Sequence, residues 1–391
     1  MSSSVWTELA TRRMRRRRAR LRTMMVLLEQ VDRPPVYAQI NREVPLLQIY
    51  FDPQQDLRPD YRLSRTSVTA LLQLLSRGKA RGWAQHLEVL ITLYWLAHGL
   101  SYSVVSRAFQ VPKTTVHRVV HQICGSLVAI RGQHIRYPAE EDVPAVALGF
   151  TELSGSPAFT NCVGALDGCH IRIKTPPGPH GQDYINRKLF ASVQMQALCD
   201  SYGRLINLFV GYPGSVHDTR VLKNSSLYTA ARYPPPGYFI IGDGGYPCIR
   251  APITLLTPYR EPLQGRVQER YNRHHARARS VIERAFGMMK TRWRCLFFKA
   301  LEVHHTFVLD VVTVCAVLHN ICLTAGDVMD PDDDRPDAVE VPPPRPVRNE
   351  QGGQGVRTDW RHRYLPLMRA GGRALLYKAY TPTALLPCFA F

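Results

Sequence analysis

The sequence predicts a mixed α and β protein, an N-terminal helical region followed by a region in which strands and helices alternate. Two observations carry this. From Leu63 to about Ile130 apolar residues recur three and four apart, the spacing of helix faces packed on a core. From Phe159 to about Leu323 short strand-like apolar runs alternate with longer helix-like stretches, the order that builds a sheet covered by helices.

Residues 1–62 come first, as a basic arm and a linker. Arg12, Arg13, Arg15, Arg16, Arg17, Arg18, Arg20 and Arg22 crowd its start. The run reads as a nuclear import signal or a phosphate-binding arm, or else as the solvated face of a helix, because Leu21, Met24, Met25 and Leu28 follow at helical spacing. Pro34, Pro35, Pro53 and Pro59 mark residues 31–62 as an extended linker.

Residues 63–135 form the helical region. Leu63, Val68, Leu71, Leu72 and Leu75 make one apolar stripe with Ser64 as its cap, and Leu87 to Ala97 make a second. Residues 101–124, SYSVVSRAFQVPKTTVHRVVHQIC, then predict a helix-turn-helix. Its first helix turns Val104, Val105, Ala108 and Phe109 inward, and the chain turns at Gln110 to Pro112. Its second starts at Lys113, with Val116, Val119, Val120 and Ile123 inward and Lys113, Thr114, Thr115, His117 and Arg118 on the polar side. Such a pair either presents those five residues to a DNA groove or is an ordinary helical subdomain.

Residues 159–323 hold the alternating region, and residues 324–391 follow as linker and tail. The acidic run Asp330 to Asp337, the prolines from Pro342 to Pro346 and a Gly/Gln stretch ending at Gly355 lack the apolar content to fold, and residues 358–391 carry no chemistry that can be named.

Fifty Lys and Arg against 31 Asp and Glu leave a net charge of +19 on 391 residues, 45% of them hydrophobic. That field selects a polyanion, nucleic acid above all. The apolar stretch nearest to a membrane span, Phe307 to Cys322, is broken by Asp310, His319 and Asn320, so no spanning segment is expected. The N-terminus has no apolar signal region. Nine scattered cysteines without a CxxC pair predict neither a disulfide framework nor a zinc finger, and a reducing intracellular compartment fits them.

Four acids stand in suggestive places. Asp167 lies within VGALDGCHIRIK, between an apolar run and an alternating strand; Asp218 follows the strand candidate Leu205 to Val210 and opens a helix-like segment. Asp243 follows the apolar run Tyr238 to Ile241 after Gly242, and Glu283 lies on a polar helix pattern from Arg273. Carboxylates at strand ends suit a hard cation such as Mg²⁺ or Mn²⁺, and two such ions stabilise the attacking and leaving oxygens of phosphodiester hydrolysis. Taken singly, each acid is equally well a turn former or a cap, Asp218 above all.

ALDGCHIRIK, GYPGSVHDTRVL, IIGDGGYP, LLTPY and NRHHARARSVIERAFGMMKTRWRCL occur in an order and spacing that resemble the DDE endonuclease domain of the PIF/Harbinger transposases and their domesticated nuclease relatives. AVLHNIC resembles the family's closing helix, and YRLSRTSV with LEVLITLYWLAHGLSYSVVSRAFQVPKTTVHRVV resembles its helix-turn-helix region. The resemblance implies an RNase H-like mixed β-sheet flanked by helices. It implies Asp167, Asp243 and Glu283 as catalytic metal ligands, with Asp218 as a further ligand, divalent cations as cofactors and DNA as substrate. It also implies a separate Myb/SANT-like DNA-binding partner. Cys169 stands where the family commonly has Thr and Gly244 where it commonly has Ser.

His170, His217, His274 and His275 read as DNA contacts or supports of the acids. Arg273, Arg277, Arg279, Arg284, Lys290, Arg292 and Arg294 read as phosphate contacts or a solvated face, and Phe286, Met288, Met289 and Trp293 as core. The expectation is a two-metal DNA endonuclease, either a full transposase or a domesticated nuclease, located in the nucleus with the cytoplasm as a second compartment. Its rival is a catalytically silent DNA-binding or partner-recruiting protein.

Overall fold

The structure, a computed structural model, describes residues 43–75, 84–298 and 300–329. The arginine run, and the acidic and proline-rich stretches with the C-terminal tail, lie outside the described residues.

Among the described residues, the helices ahead of the sheet are α1 Pro45–Phe51, α2 Arg58–Tyr61, α3 Arg65–Leu74, α4 Gln85–His98, α5 Tyr102–Phe109, α6 Lys113–Ala129 and α7 Arg131–His134, with α8 Val143–Ser154 leading into the sheet. The first two correct the linker expected over residues 31–62. Pro45 and Pro59 sit at helix starts, where a missing N–H costs nothing and the fixed φ is already helical. Leu46, Leu47 and Tyr61 are buried, and the Tyr61 hydroxyl donates to the Leu46 carbonyl at 2.7 Å. Ser64 caps α3 as expected, accepting from the Ser67 N–H. Helices α5 and α6 meet at Gln110, whose φ of 52° turns the chain, and Val116, Val119, Val120 and Ile123 are buried. Val104, expected inward, is 43% exposed, because Val105 and Phe109 fill that face of α5.

The sheet holds β1 Cys162–Arg172, β2 Ser192–Cys199, β3 Leu205–Pro213, β4 Phe239–Gly242 and β5 Leu255–Leu256 in the order β3-β2-β1-β4-β5. The β1–β2 and β2–β3 pairs are antiparallel, and β1–β4 and β4–β5 are parallel. This five-stranded mixed sheet flanked by helices accords with a DDE endonuclease fold. The central β1 and β4 are buried on both sides, which accounts for their near-continuous apolar runs. Short helices α9 Asp218–Asn224 and α10 Ser226–Ala230 follow β3; α11 Arg266–Arg292, α12 Arg294–Phe297 and α13 His305–Thr324 close the fold.

Helix α13 is long and apolar enough to cross a membrane, but 78% of its most apolar window is buried by the protein itself. Its AVLHNIC segment is a brace. Asn320 accepts from the Leu205 N–H at 2.8 Å and donates to the carbonyls of Leu205 and His134, joining the start of β3 to α7. His319 donates to the Gly203 carbonyl at 3.0 Å, and burial holds its imidazole down to about 4, so it is neutral near pH 7.

Just past α13 the chain was expected to become linker from residue 324. Instead Asp327 is 1% exposed and takes hydrogen bonds from the Ser64 N–H (2.6 Å), the Ser67 hydroxyl (2.9 Å) and the Arg58 Nε (3.1 Å). Arg292, 2% exposed, pairs with it at 3.5 Å and donates to the carbonyls of Asp327 and Arg62. Arg292 therefore belongs neither to a solvated face nor to phosphate binding. One core runs through the helical region and the sheet, with Phe286, Met288, Met289 and Trp293 buried as expected.

Candidate active site

Register brings the first two acids together. Asp167 pairs across to Ala197 of β2, and its neighbour Leu166 pairs with Gly242 of β4, so Asp243 lies one residue past the partner of Leu166. The parallel β1–β4 pair thus delivers both acids to the same end of the sheet. The Gly168 N–H donates to Asp167 and the Gly245 N–H to Asp243, at 2.8 and 3.0 Å.

Asp218 joins them from α9. A Cβ built on Gly245 would lie 3.0 Å from Asp218 Oδ2 and 3.1 Å from Asp243 Oδ1, and one built on Gly168 would lie 3.1 Å from Asp218 Oδ1. Both acids therefore converge on a glycine cradle in which a Cβ would be crowded. Asp218 is not the helix cap. His217 is, its Nδ1 accepting from the Thr219 N–H at 3.3 Å, while Asp218 Oδ1 accepts from the Gln194 amide of β2 at 2.6 Å. The Thr219 hydroxyl donates to the Gly245 carbonyl, tying α9 to the loop after β4.

Glu283 stands apart on α11. Its side chain is 54% exposed and ion-paired with Arg279, one turn earlier, whose other nitrogen lies 3.0 Å from Asp167 Oδ2. A guanidinium thus bridges the first and third acids. Among the described residues no three Asp, Glu, His or Cys side chains are close enough together to hold one ion. Even so, the acids feel one another. Burial first, then the charges of Asp243 and Glu283, raise the Asp167 carboxyl to about 6 against the Gly168 N–H and Arg279. Burial and Asp243 raise Asp218 as well. Crowded, partly desolvated carboxylates are what a cation relieves.

The donor chemistry fits a hard divalent cation. All four acids offer oxygen, and Gln194 Oε1 and the Tyr246 hydroxyl, both beside Asp218, are buried without a hydrogen-bond partner among the described residues. Burial holds the Tyr246 phenol far above its usual range, so it is a neutral group. Sequence reasoning missed Gln194 and Tyr246 and left Arg279 unsorted from its neighbours. The alternation Val193, Gln194, Met195, Gln196, Ala197 was the available signal for Gln194, since it puts two amides on one face of a strand.

The histidines divide. His275 is 1% exposed, its imidazole lowered to about 4 by burial, and it bonds the Leu256 carbonyl, which excludes it from contact with DNA. His274 bonds the Ser154 carbonyl at 2.7 Å and His170 the Ser192 hydroxyl at 3.1 Å. Away from this site, Lys113, Thr114, His117 and Arg118 are exposed at the start of α6 and Thr115 is half-buried; Arg118 also pairs with the buried Glu88 at 3.8 Å.

The DDE superfamily endonuclease profile matches residues 166–320, from the residue before Asp167 to Asn320. The human protein named "Putative nuclease HARBI1" is 29% identical over 278 residues, 68% of this chain and 77% of its own length. "Protein ALP1-like" from Arabidopsis thaliana is 28% identical over 255 residues, 61% of each chain. The chain is thus similar to the Harbinger-derived DDE endonucleases. Less than two thirds of the plant relative's length is spanned, and no solved structure matches the chain with significance.

Residues 166–320, the span of that match, absorb both departures from the family pattern without strain. Gly244 faces open space, and a Cβ there would meet nothing within 4 Å. Cys169 is buried in β1, its thiol pushed up to about 11 by burial. Because His217 supplies the cap, Asp218→Asn tests a ligand role alone. Asn still accepts from Gln194, so melting should be unchanged, while metal-dependent cleavage should fall at least roughly tenfold and recover in part at high Mn²⁺. Wild-type rates would make Asp218 structural.

Proposed function

We propose that the chain is a divalent-metal-dependent DNA endonuclease of RNase H-like fold, hydrolysing phosphodiester bonds by the two-metal DDE chemistry. The observation that carries this is the parallel β1–β4 register, which sets Asp167 and Asp243 side by side with Asp218 converging on the same glycine cradle. Asp167, Asp243 and Glu283 would hold Mg²⁺ or Mn²⁺, with Asp218 as a further ligand. Such ions, when bound, polarise the phosphoryl group and lower the pKa of water.

The chain's own part is placement. Strands β1 and β4 fix two carboxylates on a rigid sheet, and the Gln194 amide holds Asp218 by one oxygen, leaving Oδ2 toward Gly245. Water attacks phosphorus in line, and a 3′ hydroxyl leaves. Incubating the purified protein with labelled plasmid and Mg²⁺ or Mn²⁺ tests the reading; products should be nicks or breaks whose 3′ ends a polymerase extends. Ends that resist extension would contradict hydrolysis of this type.

Helices α5 and α6 form the DNA-recognition part of the proposal, since the start of α6 leaves Lys113, Thr114 and His117 exposed on a chain of net charge +19. Arg118 also braces Glu88, so Lys113→Ala is the clean variant. It should lower the slope of log affinity against log salt by about 0.9, the release expected for one phosphate contact. An unchanged slope would make this helix structural. Nuclear import through the arginine run and a Myb/SANT-like partner complete the proposal. The Arg279 bridge favours one rival, a silent DNA-binding protein in which the guanidinium permanently takes the cation's place.

A further inference from the structure

The loop between β1 and β2 carries a feature that the cleavage chemistry does not use. Leu189 is 77% exposed and has a φ of 62°, a left-handed backbone that bulky side chains rarely adopt and glycine adopts freely. A single exposed leucine is ordinary. One held in this conformation by a buried scaffold is not.

That scaffold is Asn186, 3% exposed. Its side-chain oxygen accepts from the Lys188 N–H at 2.8 Å and the Phe190 N–H at 3.4 Å, and its amide donates to the Ser192 hydroxyl at 3.0 Å. The backbone closes the same turn: Asn186 N–H donates to the Phe190 carbonyl, Leu189 N–H to the Asn186 carbonyl, and Ile185 bridges to Ala191. Phe190 is covered by the Arg172 guanidinium, 4.3 Å from its ring centre. The tip is therefore a preformed knob that sets one apolar side chain outward.

Its surroundings name the partner. Arg187 and Lys188, beside Leu189 in the chain, are exposed, as are Arg172 and Lys174 at the end of β1. Along β1 the register runs from Asp167, opposite Ala197, to Arg172, opposite Ser192, where the turn begins. Five residues of strand cover about 17 Å, roughly half of the ~34 Å turn of B-DNA. An apolar wedge flanked by cations is the device by which proteins part stacked bases while holding the phosphates on either side.

We infer that Leu189 is a wedge that enters the base stack of bound DNA within about half a helical turn of the scissile phosphate, with Arg187 and Lys188 gripping the flanking phosphates. The inference rests on the reading of the site as a DNA endonuclease. The test is permanganate footprinting of a labelled thymine-rich duplex bound by the full-length protein in EDTA, which reports unstacked thymines while cleavage is off. Wild type and Leu189→Met should produce a hyperreactive thymine; Leu189→Gly and Leu189→Ala should lose it, with affinity by anisotropy reduced less than about tenfold because the phosphate contacts remain. Leu189→Gly should also melt no lower than wild type, since glycine relieves the backbone. A footprint that survives in Leu189→Gly, or a wild type that binds and cleaves DNA without unstacking it, overturns the wedge alone. A wild type that binds no DNA overturns both the wedge and the reading on which it rests.

Discussion

Asp327→Ala lowers the melting temperature by roughly 10 °C, at a cost of about 3–5 kcal/mol, the range for breaking a buried ion pair. The substitution strands Arg292, 2% exposed, and empties a carboxylate that joins Ser64 and Ser67 to the residues past α13. Burial alone would raise this carboxyl, but the Ser64 N–H, Arg292, Ser67 and Arg58 together hold it below the usual carboxylate range. A depressed carboxylate contributes stability that is present above its unfolded pKa and lost as pH falls through the folded one. Wild-type melting should therefore drop on acidification below about pH 4, with a smaller drop in Asp327→Asn. Thermal melts of the three proteins from pH 7 to pH 3 check this, and parallel pH profiles would refute the assignment.

Asp167→Asn, Asp243→Asn and Glu283→Gln should each abolish metal-dependent cleavage and leave a cooperative melt. Each keeps size and hydrogen bonding but removes the charge that holds a hard cation. Stability should behave in the opposite sense at Asp167. Its carboxyl is raised to about 6, so ionisation costs stability that is fully present below the unfolded pKa and lost as pH rises through the folded one. In EDTA at pH 7, Asp167→Asn should melt no lower than wild type, as expected where a site trades stability for function. A variant that unfolds would show the acid to be structural.

Strands β1, β3 and β4 and the helices from Arg65 to Ala129 were legible because their apolar residues follow one period without interruption. Strand β2 was not, since Gln194 and Gln196 are polar yet buried inside a sheet and erase the apolar run. Pro59 was misread as a mark of extended chain, because a proline at a helix start and one in a linker leave the same local signal. Asp167, Asp243 and Glu283 stand out as candidates chiefly through motif order, because each alone resembles a turn or cap. The Arg292–Asp327 pair had no local signature at all: partners 35 residues apart meet only through tertiary packing. Arg279 was visible as one of many arginines, but only the fold sets it between Asp167 and Glu283.

In the proposed function these carboxylates serve DNA hydrolysis rather than an internal guanidinium. Plasmid nicking rates measured across Mn²⁺ concentrations, for wild type and Asp167→Asn purified side by side, separate the two. Nicking should rise saturably with Mn²⁺ in wild type, with no rise in EDTA and none in the variant. Nicking that is equal in both proteins, or a wild type inert at every Mn²⁺ concentration while still binding the plasmid, would contradict it and favour the silent DNA-binding protein.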